Sequence, residues 1–242
     1  MTWTAGERYG IGPAPGGLAL VQDLLNTVGA GRPRERDLLA DLVLADEWAT
    51  AAMDAWSAGS GITVEPRGLA EDDVARLRDL RADLRSCMGA STASSREVLR
   101  TLTASVALHR DGRVVLAPRG EGWRPLATAV LLEIAAAQQV DSWRRLKLCR
   151  NTRCAVAFFD RSKNCSGVWH DVRVCGNAVN LRASRARRGA RERSRRGRRR
   201  RRGRTVAARP VRERARAPLS SARGGGPVGR PCRGPDHVRR TR

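Results

Sequence analysis

The chain has 242 residues, 47 Lys+Arg against 24 Asp+Glu and a formal charge of +23 at pH 7, but that charge sits at one end. Residues 182–242 carry 24 Arg and three acids, a net of +21, whereas 1–181 holds 23 basic and 21 acidic residues, a net of +2. The length allows one generous domain or two small ones. No apolar run reaches the roughly 18 residues of a membrane helix, and MTWTAGERYGIGPAPGG has no basic stretch followed by an apolar one, so a cytoplasmic protein without a membrane partner is expected.

Residues 1–17, rich in Gly and Pro, read as a flexible N-terminus. Leu18, Val21, Leu24, Leu25 and Val28 then recur at helical spacing until Gly29, Gly31 and Pro33 end the run. A second helix is expected from about Glu35 to Trp56, followed by a break with a short strand at 62–64. A third opens at Asp72 or Asp73, acids that suit a helix start, and carries Val74, Leu77, Leu84 and Met88 as an apolar stripe. Arg76, Arg78, Arg81 and Arg85, mixed with Asp79 and Asp83, are expected on its solvated face. The Ser/Thr/Ala run at 91–95 reads as a linker, with a short helix after it through Val98, Leu99 and Leu102.

The period then falls to two. Asp111-Gly112 between two β-rich runs predicts a hairpin, with His109 as a surface residue on it. Pro125 suits the first turn of a long helix carrying Leu126, Val130, Leu131, Ile134 and Ala137. Trp48, Trp56 and Trp143 read as core fillers. The fold class is therefore mainly α with one β-hairpin: a helical N-terminal domain over 18–140, a small module over 141–188, and a tail over 189–242.

The chemistry concentrates in that small module. Cys149 and Cys154 have four residues between them, His170 and Cys175 again four, and fifteen separate the pairs. Two such pairs can close a tetrahedral site, and zinc suits thiolate and imidazole ligands. One structural Zn2+ on Cys149, Cys154, His170 and Cys175 is expected, supplying the free energy that so short a segment lacks. Cys165 is the rival fourth ligand, disfavoured because it gives uneven spacing and idles His170. Phe158, Phe159 and Trp169 are expected to pack on the site. A helix starting at Gly176-Asn177 would carry Leu181 inward and Arg182, Arg185, Arg187 and Arg188 outward, a basic side suited to phosphates.

These residues resemble the CGNR zinc finger: two cysteines four residues apart, then Phe159, Asp160, Ser162 and Asn164, then Trp169, then Cys175-Gly176-Asn177. His170 stands where the family usually has its third Cys, and Ala178 where it has the name-giving Arg. Upstream, LALVQDLLNT (18–27), the hairpin, GWRPL (122–126) and the helix into Arg145-Leu146 resemble the ABATE-type domain that precedes this finger in bacterial proteins. The resemblance implies a stress-induced transcription regulator whose finger binds DNA. Its N-terminal domain would sense a small-molecule signal or associate with a second copy. A zinc-stabilised protein-interaction or RNA-binding module is the alternative. An enzyme is not expected, since the chain has no G-x-S-x-G, P-loop, H-E-x-x-H or dinucleotide fingerprint.

The tail over 189–242, mostly Arg, Gly, Ala and Pro, cannot bury a core and is expected to be disordered. A polycationic arm would add nonspecific affinity for nucleic acid. The same composition, however, is that of a frameshifted end in a GC-rich genome, so no function is rested on it.

Overall fold

The computed structural model describes residues 3–31, 33–64, 68–89 and 100–206. The expected linker at 91–95, the first two residues of the short helix at 98–102 and the tail beyond 206 lie outside them; 100–103 carry no helix, and 62–64 form no strand. Among the described residues six α-helices stand in order: α1 (Thr4–Glu7), α2 (Leu18–Asn26), α3 (Leu42–Ser60), α4 (Glu71–Gly89), α5 (Arg124–Gln139) and α6 (Asn177–Val206). A hairpin of β1 (Ala104–Leu108) and β2 (Val114–Pro118) precedes α5, and a short pair of β3 (Leu146–Leu148) and β4 (Ala157–Phe159) follows it. Both pairs are antiparallel, with Val106 opposite Leu116 and Lys147 opposite Phe158.

Apolar spacing on α2, α3, α4 and α5 builds one core. Leu20, Leu24, Leu25, Leu39, Leu77 and Leu80 are essentially inaccessible in it. Leu146 and Ala157, from β3 and β4, belong to the same cluster. The segments read from sequence as two domains, 18–140 and 141–188, thus lie within one compact unit, Met1–Ala190; residues 191–242 group separately.

The N-terminus departs from the flexible segment expected. Ala5 is fully buried, the Gly6 N–H donates to Asp23 Oδ1 (2.9 Å), and Gln22 Oε1 accepts from the Ala14 N–H. Asp23 also accepts from Trp48 Nε1 (2.8 Å), so one buried carboxylate ties α1 and α3 to α2. Burial pushes its carboxyl above the usual range, against the pull of these two donors.

The second helix starts seven residues later than its apolar spacing suggests. Asp41 caps it, accepting from the Leu44 N–H (3.0 Å). The preceding turn is held by α4 instead: Arg81 donates to both carboxylate oxygens of Asp37 (2.7 and 2.8 Å), and Arg78 donates to the Ala40 carbonyl (2.9 Å). The helix ends at Gly61, whose φ of +70° is the left-handed conformation that favours glycine.

Those arginines correct the expected solvated face. Arg81 is only 8% exposed, and Arg85 donates to the Leu25 and Ala155 carbonyls (3.0 and 2.7 Å). Burial raises the Asp37 pKa, but the Arg81 hydrogen bonds outweigh it and hold the carboxyl below its ordinary value. A depressed folded-state pKa contributes stability that is full above the unfolded value, about 3.9, and lost as pH falls below it. The stability gap between wild type and Asp37→Asn in urea unfolding should therefore hold between about pH 7 and 5 and shrink below about pH 4. A gap unchanged at the lowest pH would contradict this.

Candidate metal centre

The metal cluster is assembled by two tight turns that face each other. In the first, β3 leads into Cys149, whose N–H donates to the Val156 carbonyl (2.8 Å), and Cys154 N–H donates to the Asn151 carbonyl (2.7 Å). Ala155 follows at φ +65°, a strained angle for a residue with a Cβ, and turns the chain into β4. In the second, Asp171 accepts from the Val174 N–H (2.8 Å) and opens a wide π-type turn over Val172–Gly176 that delivers Cys175 to the start of α6.

Cys149, Cys154, His170 and Cys175 each offer one ligand atom, and these atoms lie within 4.8 Å of one another. His170 Nδ1 is 3.3 Å from Cys154 Sγ and 3.6 Å from Cys175 Sγ. A tetrahedron with Zn–S near 2.3 Å and Zn–N near 2.05 Å has S···N edges of about 3.6 Å. The donor set and its spacing thus fit zinc, and these four residues are placed to bind one ion. The three cysteines are buried and His170 is half-buried. Cys165 is not among them; its Sγ faces the Arg144 carbonyl at 3.8 Å, at the far end of the loop.

Among themselves the three thiols share charge. Cys154 donates to Cys149 and brings the Cys149 pKa down to about 3, against burial. The same hydrogen bond, with burial, drives Cys154 well above the usual thiol range, and burial raises Cys175. The opposite shifts of Cys149 and Cys154 are two sides of one contact: one thiolate forms easily, and further negative charge needs a cation.

Asn151 supplies the next layer. It is 1% exposed; its Nδ2 donates to Cys175 Sγ (3.3 Å) and its Oδ1 accepts from Arg182 Nη2 (2.7 Å). Three thiolates exceed the charge of Zn2+ by one, and this relay sets a guanidinium against that excess. Arg182, expected to point outward, is thus turned onto the site from one helical turn beyond Ala178. Leu181, expected inward, is 53% exposed. Arg185, Arg187 and Arg188 are exposed, as are Arg150, Arg153 and Arg173 on the turns. Trp169 packs on the cysteine cluster, whereas Phe159 packs on the helical core. A Cβ at Gly176 would meet the Trp169 ring at 3.2 Å, which accounts for a glycine after Cys175.

Asp160, which the family resemblance includes, and Lys147, which the sequence reading did not single out, lock the loop between the turns. Lys147 Nζ donates to Asp160 Oδ2 (2.7 Å) and to the Cys165 and Gly167 carbonyls (2.6 and 3.1 Å). Asp160, 4% exposed, also accepts from the Ser162 and Gly167 N–H groups (2.9 and 2.7 Å). Burial opposes its ionisation, yet these donors hold its carboxyl well below the usual range. In a chain with 45 Arg and two Lys, an ammonium is kept where three acceptors converge on a point rather than on a planar fork.

Residues 145–188 match the family model of the CGNR zinc finger. No curated protein matches the chain. No helix among the described residues is long and apolar enough to cross a membrane.

Proposed function

We propose that this chain is a zinc-stapled DNA-binding protein acting in transcription regulation. The observation that carries the reading is the run of exposed Arg185, Arg187 and Arg188 on the helix that leaves the metal cluster, with no acid before Glu192. Guanidiniums along a helix rigidly rooted at a metal centre suit phosphate contacts. Arg150, Arg153 and Arg173 extend the same charge on the turns, while Arg182 serves the metal site. In this reading residues 18–140 act as an ABATE-type part that senses a signal or associates with a second copy, and the protein works in the cytoplasm on nucleoid DNA. The zinc in this reading is structural, because four protein ligands leave it no open position for a reacting water.

The test is anisotropy on a labelled duplex at roughly 0.15 M salt, with the full chain and with a chain ending at Ala190, the limit of the compact unit. Zinc-dependent binding by the shorter chain is expected. Arg185→Gln with Arg188→Gln should keep the zinc and flatten the log K against log salt slope by about two phosphate contacts. An unchanged slope rejects the helix as the contact surface. Tighter binding to single-stranded RNA than to duplex DNA would favour an RNA-binding module instead.

A further inference from the structure

The helical part holds a cavity of about 320 Å3 away from the metal centre, walled in part by Trp3, Pro13, Ala19, Ala55 and Trp56 and bordered by one carboxylate, Glu133 of α5. That volume falls at the low end of the roughly 300–1,000 Å3 typical of small-ligand sites. Trp56 Nε1 donates to Glu133 Oε1 (2.8 Å), which fixes the carboxylate against the indole. No basic side chain lines the cavity among the described residues, and among them Glu133 makes no ion pair. A second cleft, of about 490 Å3 beside the hairpin, meets the first at Trp56, Ser60 and Glu133, so the carboxylate faces both.

Gly17 shows that the fold makes room for this carboxylate. Its φ of −66° is open to any residue, so no backbone strain calls for glycine there. A Cβ at Gly17 would instead run into the Glu133 carboxylate itself. His109 and Arg113 line the second cleft, but neither pairs with Glu133; a carboxylate beside apolar walls with no cation in its own cavity repels anions there and adds nothing for a neutral apolar ligand. A small metal ion would find too few oxygens. What it complements is a compact positive charge carried on an apolar body, with two indoles near to favour it.

We propose that this cavity binds a compact organic ammonium, its charge on Glu133 and its body against Trp3 and Trp56. The site gives the sensing role proposed above a chemical class of ligand, and its test needs no DNA, so the two readings fail separately.

Choline and its neutral isostere 3,3-dimethylbutan-1-ol are titrated into the zinc-loaded full chain, followed by calorimetry and tryptophan fluorescence, with phenethylammonium as a larger cation. One saturable site for an ammonium is expected, with the neutral isostere weaker by about tenfold or more, the scale of one charge-assisted contact. Glu133→Gln should weaken the ammonium on the order of tenfold. Gly17→Ala, which displaces the carboxylate and with it the Trp56 Nε1 hydrogen bond, should do the same with zinc content and far-UV circular dichroism unchanged. Equal binding of choline and the neutral isostere, undiminished binding to both variants, or no binding of either ammonium would each overturn the proposal.

Discussion

Replacing Cys154 by Ser is expected to remove zinc from the full chain and to melt residues 145–188 with it. Cys154 is 1% exposed, its Sγ faces His170 Nδ1, and its own carbonyl accepts from the Gly31 N–H (3.1 Å). A serine hydroxyl stays protonated near neutrality and is a poor zinc ligand. Among the described residues the buried apolar cluster around the site comprises Ala30, Val156 and the three cysteines, with Tyr9, Ile11, Val28, Ala155 and Trp169 partly buried against it, a small core for the segment to fold on unaided. Zinc contributes on the order of 10 kcal/mol to such modules, so metal analysis should fall from one zinc per chain to none. The melt followed by circular dichroism should move to markedly lower temperature, because Leu146 and Ala157 belong to the main core. Cys165→Ser is the companion, expected to keep one zinc per chain. If Cys154→Ser kept its metal and Cys165→Ser lost it, the ligand set would be wrong.

Asn26→Ala is expected to be nearly as damaging without touching the metal. Asn26 is fully buried; its Nδ2 donates to the Ala157 carbonyl (2.9 Å) and its Oδ1 accepts from the Ala157 N–H (2.8 Å). A side-chain amide on α2 thus completes the free edge of β4 as a neighbouring strand would. Alanine leaves the Ala157 N–H unpaired and its carbonyl with only the long Gln22 Nε2 contact (3.5 Å), at about 1–3 kcal/mol for each bond lost. The melting temperature should fall by about 5–15 °C at roughly 2–4 °C per kcal/mol, while zinc stays at one per chain. Asn26→Asp should be no milder, since it sets a carboxylate oxygen against the Ala157 carbonyl. A loss under about 1 kcal/mol would mean that water replaces the amide.

The metal ligands were legible because zinc demands soft donors at narrow spacing, and a pattern of four is a local property of the chain. The hairpin was legible for the same reason: Asp111-Gly112 specifies its own turn. The position of α3 was not, because Leu38 and Leu42 keep helical spacing while the 37–40 segment is held by Arg78 on the Ala40 carbonyl and Arg81 on the Asp37 carboxylate, some forty residues away. Nor was the fate of α4's arginines, whose mixture with acids looks like any solvated face until Asp37 and the Ala155 carbonyl arrive opposite them. Residues 1–17 misled for a related reason: Gly and Pro argue against regular structure, but not against burial of Ala5 and Ala14. The disorder expected after 188 gives way to α6 as far as Val206, Arg and Ala being good helix formers where no partner is needed.

The pairing of Asn26 with Ala157 also sets an order of events. The two lie 131 residues apart in the chain, so α2 leaves the ribosome well before β4 does. Its polar groups Gln22 and Asn26 face a strand that does not exist until residue 157 has emerged, and that strand hangs on a metal cluster incomplete before Cys175. The N-terminal helices therefore cannot reach their final packing during most of synthesis. Metal capture and closure of the core fall together as one late step. A cell short of zinc would accumulate chains arrested just before it, with their oldest helices still waiting.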